Sequence, residues 1–152
     1  MNPVQTPEPG THLLLYTGDV LTFVLRTEGR GRAYLRTNIG NAAVRRAETI
    51  SIVDHGLVPA GQDWHDIPMT DEGNGVAPLR LGLVETGHCE AKCCFLPEKS
   101  EEFLWPDGPN VHVNVGPAAY CCANSIYCAF VRQFGPNRTK SVTVPPDPET
   151  AA

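Results

Sequence analysis

Short apolar–polar alternations, separated by turns rich in glycine and proline, are the feature that most restricts the fold of this chain. The 152 residues include 14 Gly and 14 Pro spread along the sequence, which interrupt it too often for a bundle of long helices. In one run, Ala33, Leu35 and Thr37 fall on one side of a predicted strand. Tyr34 and Arg36 fall on the other. The pattern favours many short strands joined by turns.

About seven strands are predicted, at a spacing of roughly 10–15 residues. Seven of them cover 13–16, 20–25, 33–37, 63–69, 79–83, 89–95 and 111–115, and a further, ambiguous segment ends near Val53. The run 20–25 is apolar on both faces, as in a central strand, and Pro68 marks 63–69 as an edge element because proline cannot donate to a ladder. The runs 79–83 and 89–95 are predicted to form a hairpin. Together they indicate an all-β fold, an antiparallel β-sandwich of the immunoglobulin-like, early-set type, over residues 11–116.

Four other segments differ from this pattern. Residues 42–48 have helix propensity, but 49–53 are strand-like, and within this segment we favour a strand that ends near Val53. The Pro-rich ends, 1–10 and 145–152, are predicted to be flexible tails. The segment 117–144 contains aromatic residues at near-helical spacing and also a short β-branched and aromatic run, so a helix and a strand both stay open there.

Charge and hydropathy exclude two classes of partner. The formal net charge is -5, and the longest basic cluster is the pair Arg45 and Arg46, so neither nucleic acid nor an anionic membrane surface is an expected partner. No apolar run approaches the ~20 residues of a membrane-crossing helix. Residues 1–10 contain no apolar leader segment, so a cytoplasmic location is expected.

Six cysteines raise the question of a metal site or a disulfide framework. Their spacing is poor for zinc, and the five histidines share no ligand spacing, so no metal and no cofactor is expected. We interpret most of the thiols as free, buried and acting as small hydrophobic groups. They are Cys89, Cys93, Cys94, Cys121, Cys122 and Cys128.

Three strings in one order carry a family resemblance: residues 33–40 (AYLRTNIG), 63–69 (DWHDIPM) and 124–135 (NSIYCAFVRQFG). Together they resemble the N-terminal region of bacterial α-amylase-family and glycogen-debranching-type enzymes, in which a β-sandwich precedes a (β/α)8 catalytic barrel. The sandwich resemblance covers most of residues 10–116. The last string is similar to the first strand of the barrel, within the segment 117–144.

The resemblance implies a module and not an enzyme. A complete barrel needs ~250 residues, and no strand end here offers the pair of carboxyl groups that retaining glycoside hydrolysis requires. We therefore expect no catalytic residue in this chain. The implied function is a non-catalytic accessory module that supports the catalytic barrel domain and contacts α-glucan. The alternative is a free-standing β-sandwich that acts as a protein-interaction or scaffold module.

Two sets of residues are candidates for contacts with partners. Sugars stack on exposed aromatic rings beside polar groups that orient their hydroxyls, and the chain has two tryptophans, whose alternative role is internal packing. The candidate carbohydrate-binding residues are Trp64, Asp66, Trp105, Asp107 and Asn110. If the segment 120–134 lacks its barrel partners, its apolar side chains are predicted to drive self-association. These are Tyr120, Ile126, Tyr127, Phe130, Val131 and Phe134.

Overall fold

A computed structural model describes residues 1–58 and 60–121, which form eight β-strands, one α-helix and a final 3-10 turn. The chain divides into two units, Met1–Cys122 and Ala123–Ala152, and all described residues belong to the first. The strands are β1 (Val4–Thr6), β2 (His12–Tyr16), β3 (Val20–Arg26), β4 (Gly31–Thr37), β5 (His65–Met69), β6 (Val76–Gly82), β7 (Gly87–Pro97) and β8 (Val111–Gly116). Helix α1 (Ala42–His55) connects β4 to β5, and the 3-10 turn is Ala118–Tyr120.

The strands form two sheets that share one apolar core. One sheet has three strands in the order β1-β3-β6, and the other has five in the order β2-β8-β7-β4-β5. All pairings are antiparallel except that of β2 with β8, which is parallel. The predicted all-β sandwich is confirmed, with this one parallel edge as a departure from a purely antiparallel arrangement.

The core is built from alternate positions of strands in both sheets. Because side chains on a strand point to opposite faces in turn, every second residue of β3, β4 and β8 is buried. Phe23 from the three-stranded sheet and Leu35 from the five-stranded sheet have no exposed surface. Other members are Leu21, Leu25, Ala33, Cys93, Phe95, Val111, Val113 and Val115.

Several strand predictions are confirmed. The alternation predicted for β4 is correct, with Ala33, Leu35 and Thr37 buried and the residues between them half-buried. Strand β5, which contains Pro68, lies at a sheet edge. Strand β3 is central in its sheet, but only one of its faces is buried, since Val20 is 52% exposed.

The prediction of a strand ending near Val53 is wrong, because residues 42–55 form α1. The helix ends at Gly56, whose φ of 64° is accessible to glycine and whose backbone N–H donates to the carbonyl of Ile52. β-Branched residues favour a strand when they pack on a pleated surface. Here none of the helical residues is buried, so the segment lacks that surface and the helical preference of its first half extends through it.

The predicted hairpin of 79–83 with 89–95 is also wrong, since the two strands lie in different sheets. Strand β6 pairs with β3, whereas β7 pairs with β4 and β8. The connection crosses between the sheets at Leu83, which is 1% exposed. Its carbonyl accepts from Gly18 N–H at 2.8 Å, and its N–H donates to the carbonyl of Asp19 at 2.9 Å. These bonds tie the crossover to the turn before β3 and leave no tight turn between β6 and β7.

The predicted flexible tail over residues 1–10 contains an ordered strand instead. Strand β1 pairs with β3, and its Gln5 is 1% exposed. The Gln5 side chain accepts a hydrogen bond from Cys93 N–H at 2.9 Å and donates to the carbonyl of Pro7 at 2.9 Å. A composition rich in proline thus concealed a strand that a buried amide anchors to the opposite sheet.

Of the C-terminal segment 117–144, the structure describes residues 117–121. Tyr120, in the 3-10 turn, is 62% exposed. The other predicted self-association residues lie outside the described residues, as does the predicted tail 145–152. They are Ile126, Tyr127, Phe130, Val131 and Phe134.

Candidate functional site

The outer face of the five-stranded sheet carries the most developed group of polar and aromatic side chains. Where Leu35 points into the core, the next residue, Arg36, points out. The register places Arg36 of β4 directly opposite Asp66 of β5. Tyr34, two residues before Arg36, lies on the same face of β4 and opposite Cys94 of β7.

Arg36 and Asp66 form a bidentate ion pair. Nε of Arg36 lies 2.7 Å from Oδ1 of Asp66, and Nη2 lies 2.7 Å from Oδ2. Two parallel charge-assisted hydrogen bonds fix the direction of the guanidinium plane. Hydrogen bonding to Arg36 lowers the pKa of Asp66, and hydrogen bonding to Asp66 raises the pKa of Arg36. The side chains are 40% and 32% exposed, so the pair remains accessible to a ligand.

The connection from β7 to β8 brings two aromatic rings onto Arg36. The guanidinium carbon lies 5.2 Å from the ring centre of Trp105 and 5.6 Å from that of Phe103, which is within the range of a cation–π contact. Phe103 also meets the edge of Tyr34, with ring centres 6.0 Å apart. We call Tyr34, Arg36, Asp66, Phe103 and Trp105 the Arg36 cluster.

A short backbone bridge positions the two rings. The N–H of Leu104 donates to the carbonyl of Phe95 at 2.7 Å, and the N–H of Phe95 donates back at 2.9 Å. This pairing continues the extended geometry of β7 into the connection. Side chains on either side of Leu104 therefore share a direction, and Phe103 and Trp105 lie 6.2 Å apart between ring centres.

The buried thiols of β7 are protected from reaction by their position. Cys93 and Cys94 have no exposed surface. Burial raises the pKa of Cys93 to about 12 and that of Cys94 to about 11, which suppresses the reactive thiolate. Cys89 is buried as well, so the interpretation of these three as free, buried thiols is confirmed. Cys121 is exposed, and Cys122 and Cys128 lie outside the described residues.

The structure brings only part of the predicted carbohydrate-binding set together. Trp105 and Asp66 join the same cluster, linked through Arg36. The Asp107 carboxylate instead accepts hydrogen bonds from the Asn2 side chain at 3.0 and 3.1 Å. Asn110 donates to Glu90 at 2.7 Å.

Trp64 stands apart from the Arg36 cluster. It is half-buried at the residue before β5, and its backbone N–H donates to the carbonyl of Gly61 at 3.2 Å. The preceding residue, Asp63, is buried and accepts a hydrogen bond from the Asn38 side chain at 3.0 Å. Within residues 1–58 and 60–121, no ring or cation contact joins Trp64 to Trp105.

Three members of the cluster were not predicted as site residues: Tyr34, Arg36 and Phe103. The outward positions of Tyr34 and Arg36 followed from the alternation of β4, and the spacing of Phe103 and Trp105 by two residues is typical of neighbours on one strand face. The strand register that places Arg36 opposite Asp66 could not be predicted from the sequence.

Comparisons with known proteins add no relative to this description: no protein-family model and no curated protein matches the chain. Within the described part of the chain, no group of three or more His, Cys, Asp or Glu residues is arranged to hold a metal ion. The helices described there are also too short or too polar to cross a membrane.

The fold and the site together define a class of protein: a β-sandwich with an aromatic and ionic cluster on one outer sheet face.

Proposed function

We propose that this protein is a non-catalytic accessory module of an α-amylase-like glycoside hydrolase that contacts α-glucan through the Arg36 cluster. The supporting observation is the placement of three aromatic rings beside a bidentate Arg36–Asp66 pair on one accessible sheet face. Glucose units present apolar C–H faces, which stack on aromatic rings, and hydroxyls, which pair with charged groups. One sheet face supplies both kinds of contact.

The internal contacts of the cluster support a binding role. Arg36 is fixed by two hydrogen bonds to Asp66 and by the rings of Phe103 and Trp105. A ligand that meets side chains already held in one geometry avoids much of the entropy loss of ordering them. The half-buried Trp105 keeps part of its ring surface accessible while its partners set its orientation.

The family resemblance supplies the wider setting of the proposal. In the enzymes that the strings at 33–40, 63–69 and 124–135 resemble, the sandwich precedes a catalytic barrel, so the barrel domain is the proposed protein partner. A cytoplasmic location is proposed with it, because the free thiols of Cys89, Cys93 and Cys94 suit a reducing compartment.

The two tryptophans allow a matched test. Maltoheptaose and glycogen are titrated into the protein while tryptophan fluorescence and the heat of binding are followed. We expect saturable binding that Trp64→Ala retains and Trp105→Ala abolishes, because only Trp105 belongs to the Arg36 cluster. Arg36→Met, which removes the ion pair but keeps an aliphatic stem, is expected to weaken binding as well.

Two results would overturn the proposed site. Loss of binding in Trp64→Ala with retention in Trp105→Ala would place the platform elsewhere. Absence of binding by the folded wild-type protein at millimolar ligand would reject glucan contact and favour the second candidate.

The second candidate is a free-standing protein-interaction or scaffold module, and helix α1 favours it. The helix has no buried residue, and several aliphatic side chains on it and on the residues that follow are exposed to water. Such patches are typical of surfaces that contact another protein. They are Val44, Ile50, Ile52, Val53, Leu57 and Val58.

Self-association through residues 120–134 stays a prediction alongside both candidates. Tyr120, the member of that set within the described residues, is 62% exposed. A monomer in size-exclusion chromatography with light scattering, at tens of micromolar protein, would contradict it.

A further inference from the structure

A second polar site lies on the same sheet, at the opposite end from β5, and none of its residues belongs to the Arg36 cluster. It is an open cavity of about 400 Å3 bordered by β2, β7, β8 and the start of α1. The residues that matter here are His12, Arg45, His88, Glu90, His112 and Asn114. Its volume falls within the ~300–1,000 Å3 typical of small-molecule pockets.

The sheet register gathers these residues from three neighbouring strands. His112 of β8 lies opposite His12 of β2 and opposite Glu90 of β7. His88 lies opposite Asn114, one step further along the same face. Residues two apart on a strand project to the same side, so three imidazoles collect over a small area of sheet.

The single carboxylate of the cavity is already engaged. One oxygen of Glu90 accepts a hydrogen bond from the Asn110 side chain at 2.7 Å, and the other lies 3.8 Å from Nδ1 of His112. The ring of His112 stacks on that of His12, with centroids 4.4 Å apart and planes 12° from parallel. Each carboxylate oxygen of Glu90 therefore has a neighbouring side chain, Asn110 or His112.

A second polar contact in the cavity joins His88 and Asn114. Nδ1 of His88 contacts Oδ1 of Asn114, which requires the imidazole nitrogen to donate and the amide oxygen to accept. The NH₂ group of the Asn114 amide, which only donates, is left for a ligand.

Arg45 supplies the cationic group. It reaches from α1 to place Nη1 3.4 Å from Sγ of Cys89, a weak acceptor. Residues 1–58 and 60–121 contain no carboxylate within ion-pair distance of Arg45. Arg45 is half-buried, unlike the exposed Arg46 beside it. A cation partly withdrawn from water without a counter-ion attracts an anion strongly.

We infer that this cavity binds an oxyanion, specifically a phosphate group, either free or esterified to a small molecule. The planar fork of Arg45 matches two phosphate oxygens, and such bidentate pairs are among the strongest charge-assisted hydrogen bonds. The NH₂ group of the Asn114 amide is a further donor that the cavity offers to the remaining oxygens. The inference does not depend on glucan binding, which uses other residues.

The test is a titration followed by ¹H–¹⁵N NMR at constant ionic strength, with inorganic phosphate, glucose 6-phosphate and, as a neutral control, glucose. We expect saturable shifts at Arg45, His88 and Asn114 with a Kd of about 1 mM or lower. Arg45→Gln is expected to weaken phosphate binding about tenfold or more. Arg46→Gln, at the exposed neighbouring position, is expected to leave it unchanged.

The arms of the titration identify the source of the phosphate group. Equal affinity for the two phosphate ligands assigns the site to the free ion, and tighter binding of glucose 6-phosphate without binding of glucose assigns it to a phosphate ester. Shifts that do not saturate, or equal weakening by Arg45→Gln and Arg46→Gln, would overturn the inference.

Two further variants keep the test independent of folding and of the proposed function. If Arg45→Gln fails to fold, Arg45→Lys retains the charge but lacks the fork, and must itself weaken binding. Unchanged phosphate affinity in the folded Lys variant would reject the site. Trp105→Ala is expected to bind phosphate normally, so loss of glucan binding and loss of phosphate binding are distinguishable.

Discussion

The two faces of the five-stranded sheet use neighbouring residues of the same strands in opposite ways. On the inner face, Leu35 and Cys93 have no exposed surface and contact the core. On the outer face, Arg36 keeps 40% of its side chain exposed and forms directional contacts with Asp66 and two aromatic rings. Strand alternation therefore places a buried core residue and an exposed, charged residue at neighbouring positions of the same strand.

The energies on the two faces differ in kind. Burying a leucine side chain contributes about 1.5–3 kcal/mol through removal of apolar surface from water. An ion pair as accessible as Arg36–Asp66 contributes about 0–1 kcal/mol, since water and salt screen it. Substitutions on the inner face should therefore change stability, and substitutions on the outer face should change binding with little change in stability.

The largest expected effect is that of Leu35→Ala. The side chain is fully buried among residues of both sheets, so its truncation loses burial and leaves a cavity. We expect a loss of about 2–5 kcal/mol in the free energy of unfolding, measured by urea denaturation. Leu14→Ala is the control, since Leu14 is 67% exposed, and should cost less than about 0.5 kcal/mol. Equal costs for the two would contradict the assignment of an inner face.

A smaller effect is expected for Gln5→Leu, which tests the link between the two sheets. Leucine restores most of the volume but leaves the N–H of Cys93 and the carbonyl of Pro7 without their 2.9 Å partners. An unpaired buried polar group costs about 1–3 kcal/mol, so the same denaturation should show a loss of that size. Gln62→Leu, at an exposed position, is the matched control. Unchanged stability in Gln5→Leu would show that the buried amide is dispensable.

The difference between the faces also explains what the sequence could predict. Inner-face positions repeat with period two, so the alternation of β4 and β8 was readable from their own residues. The outer cluster depends on contacts between Arg36 and residues 30 to 69 positions further along the chain, Asp66, Phe103 and Trp105. No local pattern encodes that pairing, and only Asp66 and Trp105 were identified, on their chemistry.

The two wrong predictions of secondary structure, a strand ending near Val53 and a flexible tail over 1–10, also arose from contacts between distant parts of the chain. The strand-like residues at 49–53 became part of α1 because no neighbouring strand pairs with them. The Pro-rich start became β1 because β3 offers an edge and Gln5 finds a buried partner on β7. In each case a non-local partner, present or absent, decided the structure against the local composition.

The smallest expected effect is that of Asp66→Asn on the pH dependence of stability, and it tests the ion pair on the outer face directly. Because Arg36 lowers the pKa of Asp66 below its ordinary value of 3.8, the folded state favours the charged carboxylate. The resulting stability is fully present above about pH 4 and is lost as the pH falls through the lowered folded pKa.

The free energies of unfolding of wild type and Asp66→Asn, measured by thermal or urea unfolding, should therefore differ by less than about 1 kcal/mol at neutral pH, and the difference should shrink as the pH falls below about 4. Asp54→Asn, at an exposed position of α1 that forms no ion pair in the described part of the chain, should show no such convergence. If the difference in the free energy of unfolding between wild type and Asp66→Asn stays constant as the pH falls, the Asp66 side chain stabilises the fold through its packing and not through its charge.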